Sequence, residues 1–77
     1  MGKTYKHNDI LDLATYMANS HYGVTLEDII EKYEISRRTA ERRRDEVFAL
    51  FPDYEVIILP NDRKKRYKLN HSALREL

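Results

Sequence analysis

The chain has 77 residues, no cysteine, and 14 lysines and arginines against 13 acids, for a formal net charge of +1. So short a chain buries only roughly 60 to 65 % of the surface its unfolded form exposes, which suits a binding module better than an enzyme with a deep, water-excluding cavity. Without thiols there are no disulfides and no thiolate metal sites, and His7, His21 and His71 lack the spacing of a local metal site, so no metal and no other cofactor is expected.

Residues 1–7 are a polar lead-in with no apolar signal core, expected to be untethered, and the apolar runs, 56–59 among them, are too short to span a membrane. The composition fits a reducing compartment such as a bacterial cytoplasm. Asn8 is the expected N-cap of a first helix over residues 9–19, with Asp9 complementing its dipole. Ile10, Leu13, Ala14 and Met17 recur at three- and four-residue spacing and form one apolar stripe, flanked by Leu11. Gly23 then permits the positive φ that a turn requires.

Thr25 caps a short second helix ending near Tyr33, and Asp28 completes a capping box, with Leu26, Ile29, Ile30 and Tyr33 facing inward. Glu34 and Ile35 make a tight connection to Ser36, the next cap, and Ile35 with Ala40 forms a hydrophobic staple. The third helix, 36–51, is stopped by Pro52. After it, Tyr54-Glu55-Val56-Ile57-Ile58-Leu59 and Arg66-Tyr67-Lys68-Leu69 have strand composition, and Pro60-Asn61-Asp62 is turn chemistry, giving a hairpin over 54–69. Asn70 caps a last short helix over 71–77. The expected fold is therefore mainly α with a β-hairpin: a winged helix-turn-helix of three helices and a two-stranded wing in one domain, 8–70, followed by a linker start or short helix, 71–77.

Charge is sorted along this frame. Residues 1–36 carry three lysines against six acids, and residues 37–77 carry eleven cations against seven acids. Advancing by about 100° per residue from Ala40 places Val47, Phe51, Ser36 and Phe48 on the buried side of the third helix and Arg38, Arg42, Asp45 and Ala49 on the solvated side. Thr39 and Glu41 flank that side, and Arg37 lies at the tip.

The N-terminal turns of such a helix are the part projected into a DNA major groove, and arginine's planar fork bonds guanine O6 and N7 together. Arg37, Arg38, Thr39 and Arg42 are thus the candidates for base contacts. Thr25, Ser36, Arg43 and the hairpin tip Arg63, Lys64, Lys65 and Arg66 are candidates for phosphates. Glu41 either accepts from cytosine N4 or orients Arg37 or Arg38 through a helical ion pair, the preferred role. Arg44 turns toward the core, so its stem is expected across Phe48 and its head on an acid. Tyr33, Phe48, Phe51, Tyr54 and Tyr67 fall at core-facing positions and are expected to pack the domain rather than stack on bases.

At Ile35-Ser36-Arg37-Arg38-Thr39-Ala40-Glu41-Arg42 the chain resembles the N-terminal, DeoR-like winged-helix domain of WYL-domain transcriptional regulators. Val24-Thr25-Leu26-Glu27-Asp28-Ile29, Leu50-Phe51-Pro52 and Arg63-Lys64-Lys65-Arg66-Tyr67-Lys68-Leu69 extend that likeness over nearly the whole chain, although Arg42-Arg43-Arg44 stands where the family often has Arg-Asp after the threonine. The resemblance implies that Ser36, Arg37, Arg38, Thr39 and Arg42 engage operator DNA. It also implies a homodimeric bacterial regulator, often a repressor and in some cases of phage-defence genes, with any effector bound by a WYL domain not contained in these residues. The expected function is thus sequence-specific binding of double-stranded DNA in transcription regulation. The alternative is a winged-helix protein-interaction or dimerisation module without DNA binding. No nucleophile-base pair, paired carboxylates or phosphate-cradling glycine loop marks an enzyme.

Overall fold

A computed structural model describes residues 6–74. In chain order these form α1 (Lys6–Asn19), α2 (Leu26–Tyr33), α3 (Arg37–Leu50), β1 (Tyr54–Ile57), β2 (Arg66–Leu69) and a single helical turn, α4 (His71–Leu74). The product is a small, mainly helical domain with one antiparallel hairpin. Most of the lead-in, 1–5, and the end of the last helix, 75–77, lie outside the described residues. No helix among the described residues is long and apolar enough to cross a membrane.

Helix α1 buries Leu13, Ala14, Met17 and Ala18, with Ile10 packed at the margin. It begins earlier than the cap signal indicates: Lys6 and His7 are helical, and Asn8 lies inside the helix. Once a helix is held by its packed face, each added residue gains one backbone bond, so a capping side chain alone does not set its start. At the other end, Ser20 donates from its amide and from its hydroxyl to the Tyr16 carbonyl, at 3.1 Å and 2.8 Å. The last turn of α1 has no basic residue of its own. Lys68 of β2 serves instead, donating from Nζ to the Ala18 and Ser20 carbonyls at 3.0 Å and 2.9 Å, which places a cation on acceptors at the negative end of the helix dipole.

Gly23 takes φ +88°, and a Cβ there would sit 3.1 Å from both Arg66 Cβ and the Tyr67 carbonyl. That close approach lets Val24 pair with Tyr67 through two backbone bonds, at 2.9 Å and 2.8 Å. The hairpin thereby gains a one-residue third rung that no periodic pattern in the sequence announces.

The capping box at α2 forms as expected: the Asp28 amide donates to Thr25 Oγ1 at 3.0 Å, and the Thr25 amide donates to Asp28 Oδ2 at 3.1 Å. The helix closes on Glu34, which adopts the left-handed conformation with φ 52° and ψ 52°. Ser36 caps α3, accepting from the Thr39 amide at 3.1 Å. Three residues therefore separate α2 from α3. Ile29, Ala40 and Val47 from these two helices join Leu13, Met17, Val24 and Leu69 in the core.

The hairpin register pairs Tyr54 with Leu69 and Val56 with Tyr67. Paired residues share a face, so all four lie on the side toward the helices. Tyr67 and Leu69 are buried there, but β1 is the outer strand and overhangs the helical layer, leaving Tyr54 and Val56 exposed. Tyr54, expected in the core, instead covers Phe48 as a stacked ring, centroids 3.7 Å apart. Strand β1 is shorter than its composition suggests because the Leu59 carbonyl is committed to the turn, accepting from the Asp62 amide at 3.1 Å.

Candidate nucleic-acid interface

The cap at Ser36 and the packing of Ala40 and Val47 fix the face that α3 turns outward. Arg38, Arg42, Asp45 and Ala49 are all exposed, and Thr39 and Glu41 are half-buried at its flanks, as the helical wheel requires. Arg38 and Arg42, one turn apart and so about 6 Å from each other at Cβ, have no ion-pair or hydrogen-bond partner among the described residues. Ser36, also exposed, spends its hydroxyl on the cap and lies 3.0 Å from Thr39 Oγ1.

Arg37 is arranged differently from expectation. Its Nη2 donates to Glu27 Oε2 on α2 at 2.7 Å, with the two side chains 56 % and 50 % exposed. The acid that orients it is thus Glu27 and not Glu41, because the cap angle brings the first turns of α2 and α3 together. The Glu27 carboxyl is held below its ordinary pKa by its own backbone amide first, then by the Arg37 hydrogen bond and by the charges of Arg37 and Lys64. Lys64 belongs to the hairpin tip, so the charges of the tip and of the start of α3 both act on this one acid.

The tip is shaped by Asp62. Its Oδ1 accepts from the Lys64 amide at 3.0 Å and its Oδ2 from Arg66 Nη2 at 2.8 Å. Those two bonds, the amide first, lower the Asp62 pKa, with the charges of Arg66 and Lys64 adding to them. Arg63, Lys64 and Lys65 project into solvent.

Two of the candidates named from sequence take other places, and a third, Arg43, sits at the margin of the buried face. Thr25 is 3 % exposed with its amide and hydroxyl inside the capping box, so it is a helix cap and not a surface for phosphate. Arg66 begins β2, packs its Cβ beside Gly23, pairs with Asp62 and keeps a side-chain exposure of only 22 %, so it braces the hairpin. Arg43 is half-buried and already engaged by another group.

Arg44 follows its expectation in part. Its head pairs with an acid, Asp45, at 3.0 Å, and the guanidinium also lies over the ring of Tyr67, a partner the sequence did not announce. Burial works against its charge, yet the bonds to Asp45 and Tyr67 outweigh that and raise its pKa above the ordinary arginine value. A strut thus runs from α3 to β2.

What remains is a set of exposed cations on two elements: Arg38 and Arg42 on the helix, Arg63, Lys64 and Lys65 on the hairpin, and Arg37 beside Glu27. Chemically it suits a polyanion presented along a line. Among the described residues no group of three His, Cys, Asp or Glu is placed to hold a metal ion. Sequence reasoning missed Glu27, whose only signal was an acid in the first turn of the helix preceding an arginine-led one. Compared with known proteins, the chain matches no family model and no curated sequence.

Proposed function

We propose that the chain is a winged helix-turn-helix domain that binds double-stranded DNA sequence-specifically as part of a transcriptional regulator, a repressor in the reading that the family resemblance favours. The observation that carries the proposal is the pair of arginines, Arg38 and Arg42, exposed on the outward face of α3 with no partner among the described residues, together with a hairpin tip whose Arg63, Lys64 and Lys65 are exposed. In this reading α3 enters the major groove and Arg38 and Arg42 read base edges, with Arg37 and Thr39 beside them. Ser36 lies next to the backbone, and Arg63, Lys64 and Lys65 contact phosphates. The winged arrangement is supported by the short connector between two capped helices and by the hairpin whose inner strand also pairs with Val24.

Selection of bound duplexes from a random pool, followed by titration of the selected site at rising salt, tests the proposal. Enrichment of a defined sequence is expected, with log affinity against log salt falling at a slope of about −3 if the three tip cations each neutralise one phosphate. Salt-independent binding, or no enrichment, overturns it.

A second reading has an observation of its own. Leu50 at the end of α3, Tyr54 and Val56 on β1 and Ile58 just after it are exposed, and exposed apolar side chains, where they form a contiguous patch, favour contact with another protein chain. Homodimerisation fits both readings. A module acting through protein contacts alone predicts concentration-dependent association in sedimentation without retention on DNA.

A further inference from the structure

The hairpin tip and the start of α3 both present cations, and one acid, Glu27, is bonded to the first of those on α3. Glu27 holds Arg37 by a single guanidinium nitrogen at 2.7 Å, and five N–H donors on that fork leave the others for different partners. Both side chains are about half exposed, so the pair is open to competition from a denser array of negative charge. A phosphate backbone is such an array. The Lys64 charge also acts on Glu27.

Resting on the DNA-binding reading above, we propose that Glu27 is a specificity-setting residue: it withholds Arg37 from phosphates and so holds down affinity for DNA of arbitrary sequence. Base readout through Arg38 and Arg42 is untouched by that restraint, so the ratio of specific to random binding rises. Without the carboxylate charge Arg37 joins the phosphate contacts, one more counterion is released, and the slope of log affinity against log salt steepens by about 0.9.

The test is a double-mutant cycle on the full chain with Glu27→Gln and Arg37→Gln, read by fluorescence anisotropy with the selected duplex and with a random-sequence duplex between about 50 and 200 mM salt. Glutamine keeps an acceptor for Arg37 while removing the charge, and thermal unfolding checks that each variant is folded. Glu27→Gln is expected to tighten random binding about fivefold, to steepen its slope by about 0.9, and to lower the specific-to-random ratio. In the Arg37→Gln background the same change is expected to leave the slope unaltered. An effect of equal size in both backgrounds overturns the proposal, because Glu27 would then only repel the backbone. An unchanged slope in Glu27→Gln overturns it as well, while DNA binding stands. Failure of the unaltered chain to bind any duplex removes the DNA-binding reading, and this inference with it. Should Glu27→Gln not fold, Glu27→Asp, which keeps the charge, is expected to retain the original slope, and a steeper slope there counts against the restraint.

Discussion

The guanidinium of Arg44 lies 5.2 Å from the ring centroid of Tyr67 and donates from Nη1 to the Tyr67 hydroxyl at 3.2 Å. These residues are 23 positions apart, one on α3 and one on β2, and they tie the helix to the hairpin that follows it. With its side chain 20 % exposed, Arg44 contributes through a charge-assisted bond and a cation over a ring, both strengthened by partial burial. Arg44→Ala is expected to lower stability by about 1 to 3 kcal/mol, measured by urea unfolding. It is also expected to weaken the selected duplex without changing the salt slope, since the tip cations remain but are less well placed. Arg44→Lys, which keeps the charge and loses the fork, is expected to recover only part of either effect.

The cations on α3 and on the hairpin should separate by kind of effect. Arg38→Ala is expected to reduce affinity for the selected site by about 1 to 3 kcal/mol while random duplex changes little. Lys64→Ala is expected to weaken all sequences alike and to make the salt slope shallower by about 0.9. Equal loss on selected and random DNA from Arg38→Ala would show that Arg38 contacts phosphate and not bases.

The sequence disclosed what local chemistry determines. Thr25 with Asp28, Ser36, Pro52 and the composition change at Tyr54 each act within a few residues, and the second and third helices and the hairpin lie where those signals put them. What stayed hidden depends on partners brought together by folding: Glu27 with Arg37, Val24 with Tyr67, Arg44 with Tyr67, and Lys68 with Ala18. The same limit explains the displaced candidates. Thr25 and Arg66 have the right chemistry for phosphate, but a cap buries one and Asp62 claims the other, and neither outcome follows from residue type. Arg38 and Arg42 were legible because a helix imposes a fixed 3.6-residue period on which side chains face out.

Glu34 is a non-glycine residue at φ 52°, where the Cβ crowds the following carbonyl oxygen at a cost of about 1 kcal/mol. It is exposed, and its backbone amide bond to the Ile30 carbonyl does not depend on the side chain. Glu34→Gly is therefore expected to raise stability by up to roughly 0.5 kcal/mol, the relief of the left-handed strain slightly exceeding the added freedom of the unfolded chain. A fall in the thermal midpoint would mean that the Glu34 side chain has a role of its own.

Acid should loosen the hairpin tip and the contact between α2 and α3 together. Asp62 and Glu27 both have folded pKa values below their ordinary ones. Groups of that kind contribute stability in full above the unfolded value and lose it as pH falls through the folded value. The loss is thus expected to set in below about pH 4, with no change between pH 6 and 8 from these two groups. Asp62→Asn should flatten the acid limb of the stability curve, read by circular dichroism against pH.

Lys68 offers the sharpest separation of a structural cation from a binding one. Its ammonium bridges two carbonyls at the end of α1, 50 and 48 residues away in the chain, and its donors are spent there. Replacement by methionine keeps most of the stem volume and removes the donors, so the Ala18 carbonyl loses its Lys68 bond and the Ser20 carbonyl is left with the Gly23 amide, at 3.4 Å. Loss of a hydrogen bond to a charged group costs about 1.5 to 3 kcal/mol, and water reaching this half-buried site reduces that, so Lys68→Met is expected to cost about 1 to 2 kcal/mol. The urea midpoint should drop with an unchanged slope of stability against urea, because the surface exposed on unfolding stays the same. The salt dependence of duplex binding should also stay as it was, since Lys68 releases no counterion from DNA. A shallower salt slope in Lys68→Met would place this lysine on the phosphate backbone and require that its bonds to α1 open when DNA binds.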